Sequence, residues 1–251
     1  MKPHDDWLEK YGQRSDVKVR GTPRLHLAQV LGVWAFSLSL GACSGESWKE
    51  EVLLNDGQKI IVERSVKRGG RAEVGQQGSY INQTMRFKLP GNEKAIDWRD
   101  ELNPDIGNSS FLPMALDIVK GVPYLVVYPM GCLSYNKWGR PNPPYVVFKY
   151  EEVAWQRIAL EALPPEIKMP NLIFSDPDNV VKRLGTNNIS SQQIKNIIGE
   201  YQQPEFKVVL RERLPETKIL ADCEIRVQYK GRWILPDDSI ARKFIDSQEK
   251  K

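Results

Sequence analysis

Three cysteines and two histidines are the residues of this 251-residue chain best suited to form covalent bonds, bind metal or move protons at neutral pH. The histidines are His4 and His26; the cysteines are widely spaced at Cys43, Cys132 and Cys223. Neither a CxxC pair nor a cluster of ligands is present, so no metal, no thioredoxin-like centre and no cofactor is expected.

Cys43 has the most specific surroundings. It follows Leu25–Ala42, whose uncharged part Val30–Leu40 has the length of a signal-peptide h-region and is too short for a comfortable membrane span. Arg20 and Arg24 precede that run as a positive flank. Leu40-Gly41-Ala42-Cys43 resembles the bacterial lipobox: small residues let extended backbone approach a signal peptidase, and the thiol receives diacylglycerol. The other reading is a buried helix or strand that ends by chance in cysteine. With an N-acyl chain added, Cys43 would exceed the two-signal threshold for stable bilayer anchoring. Ser44, where retained lipoproteins carry Asp, points to the outer membrane, facing the periplasm. Met1–Arg24 is long and of mixed charge, with Asp5, Asp6, Glu9 and Asp16, so translation is expected to begin nearer the apolar run.

Processing before Cys43 would remove both histidines and leave a nearly neutral domain, 43–251, behind a 1–42 leader and signal peptide. That excludes Ser-His-Asp and Cys-His hydrolysis, histidine-ligated zinc and histidine acid–base catalysis. Carboxylate chemistry, as in glycoside cleavage, stays formally open. Assigning Cys43 to lipid also turns an odd cysteine count into an even one. Cys132 and Cys223 are then expected to pair in an oxidising compartment, the alternative being two separate buried thiols. Closing a loop of about 90 residues would stabilise by roughly 4 kcal/mol in the chain-entropy model.

The elements that must position such residues are read as mainly β. Trp48–Leu54, the turn Asn55-Asp56-Gly57 and Gln58–Val66 form a hairpin signal, since Asp-Gly suits positive φ. Strands are expected at Ser79–Leu89, Lys94–Arg99, Met114–Val119 and Val122–Tyr128, the last two joined at Lys120-Gly121. Tyr145–Tyr150 and Trp155–Leu160 make another hairpin around Glu151-Glu152. Ser190–Tyr201 has capping serines and Ile194, Ile197, Ile198 and Tyr201 at helical spacing, and Pro204 is expected to stop that helix. Strands resume at Phe206–Arg211, Cys223–Tyr229 and Arg232–Leu235, before the polar tail DSQEKK. The expected fold is an antiparallel meander or sandwich-like pair of sheets with one short helix at about 190–201. A blade-like arrangement of hairpins is the alternative.

Gly131–Tyr150 is the most distinctive segment of the expected domain. Tyr135, Trp138 and Tyr145 alternate with Lys137, Arg140 and prolines, a composition able to hold a sugar, a peptide or a proline-rich strand. The plainer reading, a proline-stiffened loop whose aromatics cap the core, takes precedence over it. Ser175–Asn179, SDPDN, offers oxygen ligands but lacks the glycine and distal glutamate of a calcium loop, so a turn is expected. Ser65–Arg71, SVKRGGR, suits an anionic headgroup or phosphate, or a solvated turn after a strand. With 36 cationic and 32 anionic residues and no long basic block, nucleic-acid binding is not expected.

The segments WKEEVLLNDGQKIIVERS, GCLSYNKWGRPNPPYVVFKY and MPNLIFSDPD together resemble a family of uncharacterised proteobacterial lipoproteins. The resemblance covers most of 43–251 and implies a secreted, folded unit, with no assigned activity to transfer. The functional expectation is therefore an envelope lipoprotein that binds a protein or cell-wall partner without catalysis. The rival is a carboxylate-based hydrolase of envelope glycans.

Overall fold

Alternation of apolar and polar residues builds the first sheet, and the computed structural model shows where its faces go. It describes residues 45–70, 75–215, 223–229, 231–236 and 243. The expected 1–42 leader, Cys43 and the tail DSQEKK lie outside the described residues. Strands β1 (Glu46–Leu53), β2 (Lys59–Gly69), β3 (Ser79–Lys88) and β4 (Ala95–Glu101) form an antiparallel meander. The two-residue β9 (Asn188–Ile189) adds to β1 in parallel, so the spatial order is β4-β3-β2-β1-β9. A second meander holds β5 (Phe111–Val119), β6 (Val122–Pro129), β7 (Val146–Glu151) and β8 (Ala154–Ile158) in that order. A short hairpin, β10 (Val227–Tyr229) and β11 (Arg232–Ile234), stands apart from both sheets.

The period-2 pattern decides the core. On β1, Trp48, Glu50 and Val52 point inward while Lys49 faces solvent. Val52, Val62, Met85, Phe87, Ile96 and Trp98 of the first sheet pack against Leu116, Leu125, Val127 and Val146 of the second. The sheets are therefore stacked as a sandwich, and the mainly β expectation stands. At one side Trp155 Nε1 of β8 donates to the Asp97 carbonyl of β4 at 2.9 Å, joining the two edge strands.

The second sheet is covered on its other face too: Met114, Val126, Tyr128 and Val147 meet Leu163, Ile167, Phe174 and Val209. The remaining part of the first sheet's inner face, at Trp48, Val66 and Tyr80, is roofed by helices α2 (Pro177–Leu184) and α3 (Ser191–Glu200). In α3 the Ser190 Oγ accepts from Gln193 N and the Gln193 side chain accepts from Ser190 N, a complete capping box.

The single-helix expectation undercounts. Besides α3 and α2, a short helix α1 (Gly131–Lys137) follows β6 directly and α4 spans Pro204–Lys207. Pro204 does not merely end α3, which stops at Glu200; its fixed φ opens α4 at the first helical turn. Phe206–Arg211 is consequently not a strand: Phe206 belongs to α4, and beyond it Val209 N donates to Lys168 O outside any strand pairing.

Candidate functional site

The antiparallel strands sort their connections into two ends. At the Gly45 end lie the start of β1, the β2–β3 connection, the 102–110 loop and α1. At the other end lie four hairpin tips: Leu54–Gln58, Leu89–Lys94, Lys120-Gly121 and Glu152-Val153. Asn55 N donates to Asp117 Oδ2 at 3.0 Å, tying the first tip to the β5–β6 hairpin.

Two segments singled out separately in the sequence meet at the Gly45 end. Arg68 of SVKRGGR reaches Asp178 of SDPDN through two bonds, Nε to Oδ2 at 2.8 Å and Nη2 to Oδ1 at 2.7 Å, and also pairs with Asp176. Its guanidinium carbon lies 4.1 Å from the centre of the Tyr80 ring, and the Tyr80 hydroxyl donates to Asp178. Asn179 Nδ2 donates to Asp176 Oδ2 at 2.8 Å and to Gln77 Oε1 at 2.9 Å. Asp176 sits at φ 52°, a left-handed conformation that aspartate tolerates better than most residues, and Pro177 then starts α2. The SDPDN turn is thus a helix start.

The electrostatics of this clasp limit what it can do. Bonding to Asp178 raises the Arg68 guanidinium above its ordinary value. Burial raises the Tyr80 phenol, and its bond to Asp178 adds to the rise. Burial also works to raise the Asp178 carboxyl, but the bonds from Arg68 and Tyr80 outweigh it and hold the group below the usual carboxylate range. A glycosidase acid needs the opposite shift. The oxygens that a cation would seek are already turned toward Arg68, and among the described residues no group of three or more His, Cys, Asp or Glu side chains could hold a metal ion.

The Gly131–Tyr150 residues largely turn inward, in keeping with the reading of this segment as a loop whose aromatics cap the core. Tyr135 and Tyr145 are both 3% exposed. Tyr135 packs with Cys223 beneath Arg140, whose Cζ is 4.7 Å from the Tyr135 ring centre. The Tyr145 hydroxyl donates to Glu205 O at 2.7 Å, fastening α4 to β7. The Trp138 ring lies 4.6 Å from that of Phe111 at a tilt of 48°, with the Arg157 guanidinium carbon 5.4 Å from its centre, and Lys137 pairs with Asp105. Arg140 Nη1 donates to Asn136 Oδ1 at 3.2 Å. These aromatics cap the core because α1 folds the segment back onto the sandwich. Of the five, Lys137, Trp138 and Arg140 keep partial exposure.

Cys132 of α1 and Cys223 are joined as a disulfide with Cα atoms 5.1 Å apart, within the range such bonds require. The bond ties the segment before β10 to the Gly45 end, where Asn136 Nδ2 also donates to Glu224 O at 3.0 Å.

Two buried acidic centres escaped sequence reasoning. Glu50, fully buried, takes Arg64 Nη1 at 2.8 Å, Trp48 Nε1 at 2.6 Å and Ile173 N at 3.1 Å, while Arg64 also donates to Ile173 O. Asp100 accepts Ser110 N at 3.0 Å and Phe111 N at 2.7 Å, and burial pushes its carboxyl up to about 7 against those bonds. Beside it, Gln83 Nε2 donates to Phe111 O at 2.6 Å. A charged residue on the buried face of an otherwise alternating strand was the available signal for both. Two open depressions of about 590 and 350 Å³ flank Leu160–Lys168; Lys120, Tyr124, Lys149 and Glu166 line the smaller.

No family model matches the chain, and no curated protein or solved structure is similar to it beyond chance.

Proposed function

We propose that the chain is a lipid-anchored protein of the bacterial cell envelope, held through acylated Cys43, that binds a protein or cell-wall partner without turning it over. The observation that carries this reading is the start of the packed unit at Gly45, two residues past Cys43. A lipobox cysteine belongs just ahead of such a boundary. The Cys132–Cys223 disulfide supports an oxidising compartment, and the lipoprotein resemblance of the segments fits the same assignment. Outer-membrane placement rests on Ser44.

The hydrolase alternative draws no support from Asp178 or Asp100. Asp178 is held below the range of a general acid, and Asp100, raised to about 7, spends both oxygens on backbone amides.

Cys43→Ala tests the reading. The variant should gain no labelled palmitate and accumulate as a larger precursor, because the lipoprotein peptidase acts only on the modified thiol. Normal maturation with lipid incorporated elsewhere would overturn the assignment.

A further inference from the structure

The place at which the packed unit begins fixes which part of the molecule an anchor would hold. Gly45 lies against β2 so closely that a side chain there would meet the Val66 carbonyl oxygen at 2.5 Å. Glu46 pairs with Val66 in the ladder, and its carboxylate is 3.1 Å from Lys182 of α2. The chain is therefore committed to the sheet from its first described residues, with no slack beyond Gly45.

Resting on the Cys43 reading, we propose that the Gly45 end of the sandwich is a bilayer-facing surface, seated on lipid headgroups beside Lys67, Leu102 and Arg183, and that the four hairpin tips face away from the membrane. Cys43 to Gly45 spans two residues, at most about 7 Å when fully extended. The headgroup layer on one side of a bilayer is itself roughly 5–8 Å thick, so an acylated Cys43 brings Gly45 into or against it. β1 then runs eight residues away from that point, roughly 25 Å of strand, to the Leu54–Gln58 tip.

The surface at this end suits that neighbour. Lys67, beside the start of β1, and Arg183 on α2 are exposed. Glu46 is paired by Lys182, and Asp176 and Asp178 by Arg68, which cuts the negative charge these three turn toward an anionic surface; exposed Glu101 beside Leu102 sets a limit on that gain. Leu102 follows directly on β4, whose Glu101 pairs with Asn82 and thence with Lys67, and it is 52% exposed. A large aliphatic residue so exposed beside a tether is placed to enter the headgroup region.

The test uses the intact acylated protein in phosphatidylethanolamine–phosphatidylglycerol vesicles. Hydroxyl-radical and lysine-labelling footprints are compared with a variant carrying about 15 Gly/Ser residues between Ser44 and Gly45, a spacer of roughly 20 Å root-mean-square length. Labelling of Leu102 and Lys67 should be several-fold lower with the native tether, while Lys120 and Val153 label equally in both. The mass of the Cys43 peptide from the same sample separates the two readings. An unacylated Cys43 overturns the anchor and this orientation with it. An acylated Cys43 with Leu102 and Lys67 fully labelled, or with the hairpin tips protected, leaves the anchor standing and overturns the orientation alone.

Discussion

The two ends of the sandwich are made from the same antiparallel strands, yet different interactions hold them. At the Gly45 end, side chains bridge distant segments: Arg68 to residues about 110 positions later, Arg64 to Ile173 across 109, and Cys132 to Cys223 across 91. At the hairpin end, tight turns connect neighbours in sequence, and exposed residues such as Lys120, Glu152 and Val153 carry positive φ. The first end gets most of its order from long-range contacts that fail together. The second adds a few long-range ties, such as Asn55 to Asp117, to local turn geometry, so the exposed residues of its turns change nearly independently.

The sharpest test of that contrast lies under α3. Glu50→Ala would strand a buried guanidinium and orphan Trp48 Nε1 and Ile173 N, and should cost about 3–5 kcal/mol in urea unfolding. A loss near 1 kcal/mol would mean water replaces the carboxylate. Removing the disulfide, with Cys132→Ser and Cys223→Ser combined, should cost about 2–4 kcal/mol, read as the midpoint shift that dithiothreitol also produces in the wild type. Next comes Arg68→Ala, at about 2 kcal/mol, because Asp178 is 2% exposed and would keep only the Tyr80 bond and one from its own backbone amide. Equal losses from Arg68→Ala and from a substitution at Lys120 would erase the distinction between the ends.

The largest pH dependence of stability is expected from Asp100, which lies at the same end. Between about pH 4 and 7 native Asp100 keeps a proton that the unfolded chain has released, so its contribution falls as pH rises through that window. Asp100→Asn should flatten the slope of unfolding free energy against pH there, leaving a residue of the same sign from Asp117, which burial also raises. An unchanged slope would place the titration elsewhere. Asp178, held low, contributes in the opposite sense: its stabilisation is present above the unfolded carboxylate value and is lost as pH falls below it. The smallest effect is expected at the hairpin end, and it has the reverse sign. Val153 is a β-branched residue at φ 67° and 72% exposed, so Val153→Gly should raise stability by about 0.5–1 kcal/mol in thermal unfolding.

The hairpin end was the legible one. Asp56-Gly57 and Lys120-Gly121 announce their turns locally, and the strands they join were placed within a few residues. Helix α3 was equally plain, because its cap and its isoleucine stripe lie in one short window. The Gly45 end was not, since its partners are far apart in sequence. SVKRGGR and SDPDN each looked like a surface turn until the fold paired Arg68 with Asp178. Helix α2 did carry a signal, Pro177 at its first turn and Gly185 after its last, but Asp176, Asp178 and Asn179 spell a turn of oxygen ligands just as well. Helix α1 carried almost none: Met130 offers no side-chain cap, and the prolines after it suggested loop. The inward turn of Tyr135 and Tyr145 follows from α1, and so was hidden with it.

The parallel bridge between β1 and β9 sets a schedule. β1 leaves a growing chain early and pairs with β2 at once, but its other edge stays unpaired until Asn188 and Ile189 arrive, about 140 residues later. Glu50 likewise waits for the Ile173 amide. Throughout that interval an open strand edge beside a half-neutralised acid is available to any other extended chain. The step most exposed to mispairing is therefore the delay before β1's second edge is covered, and a holding chaperone acting on this protein would have its longest task there.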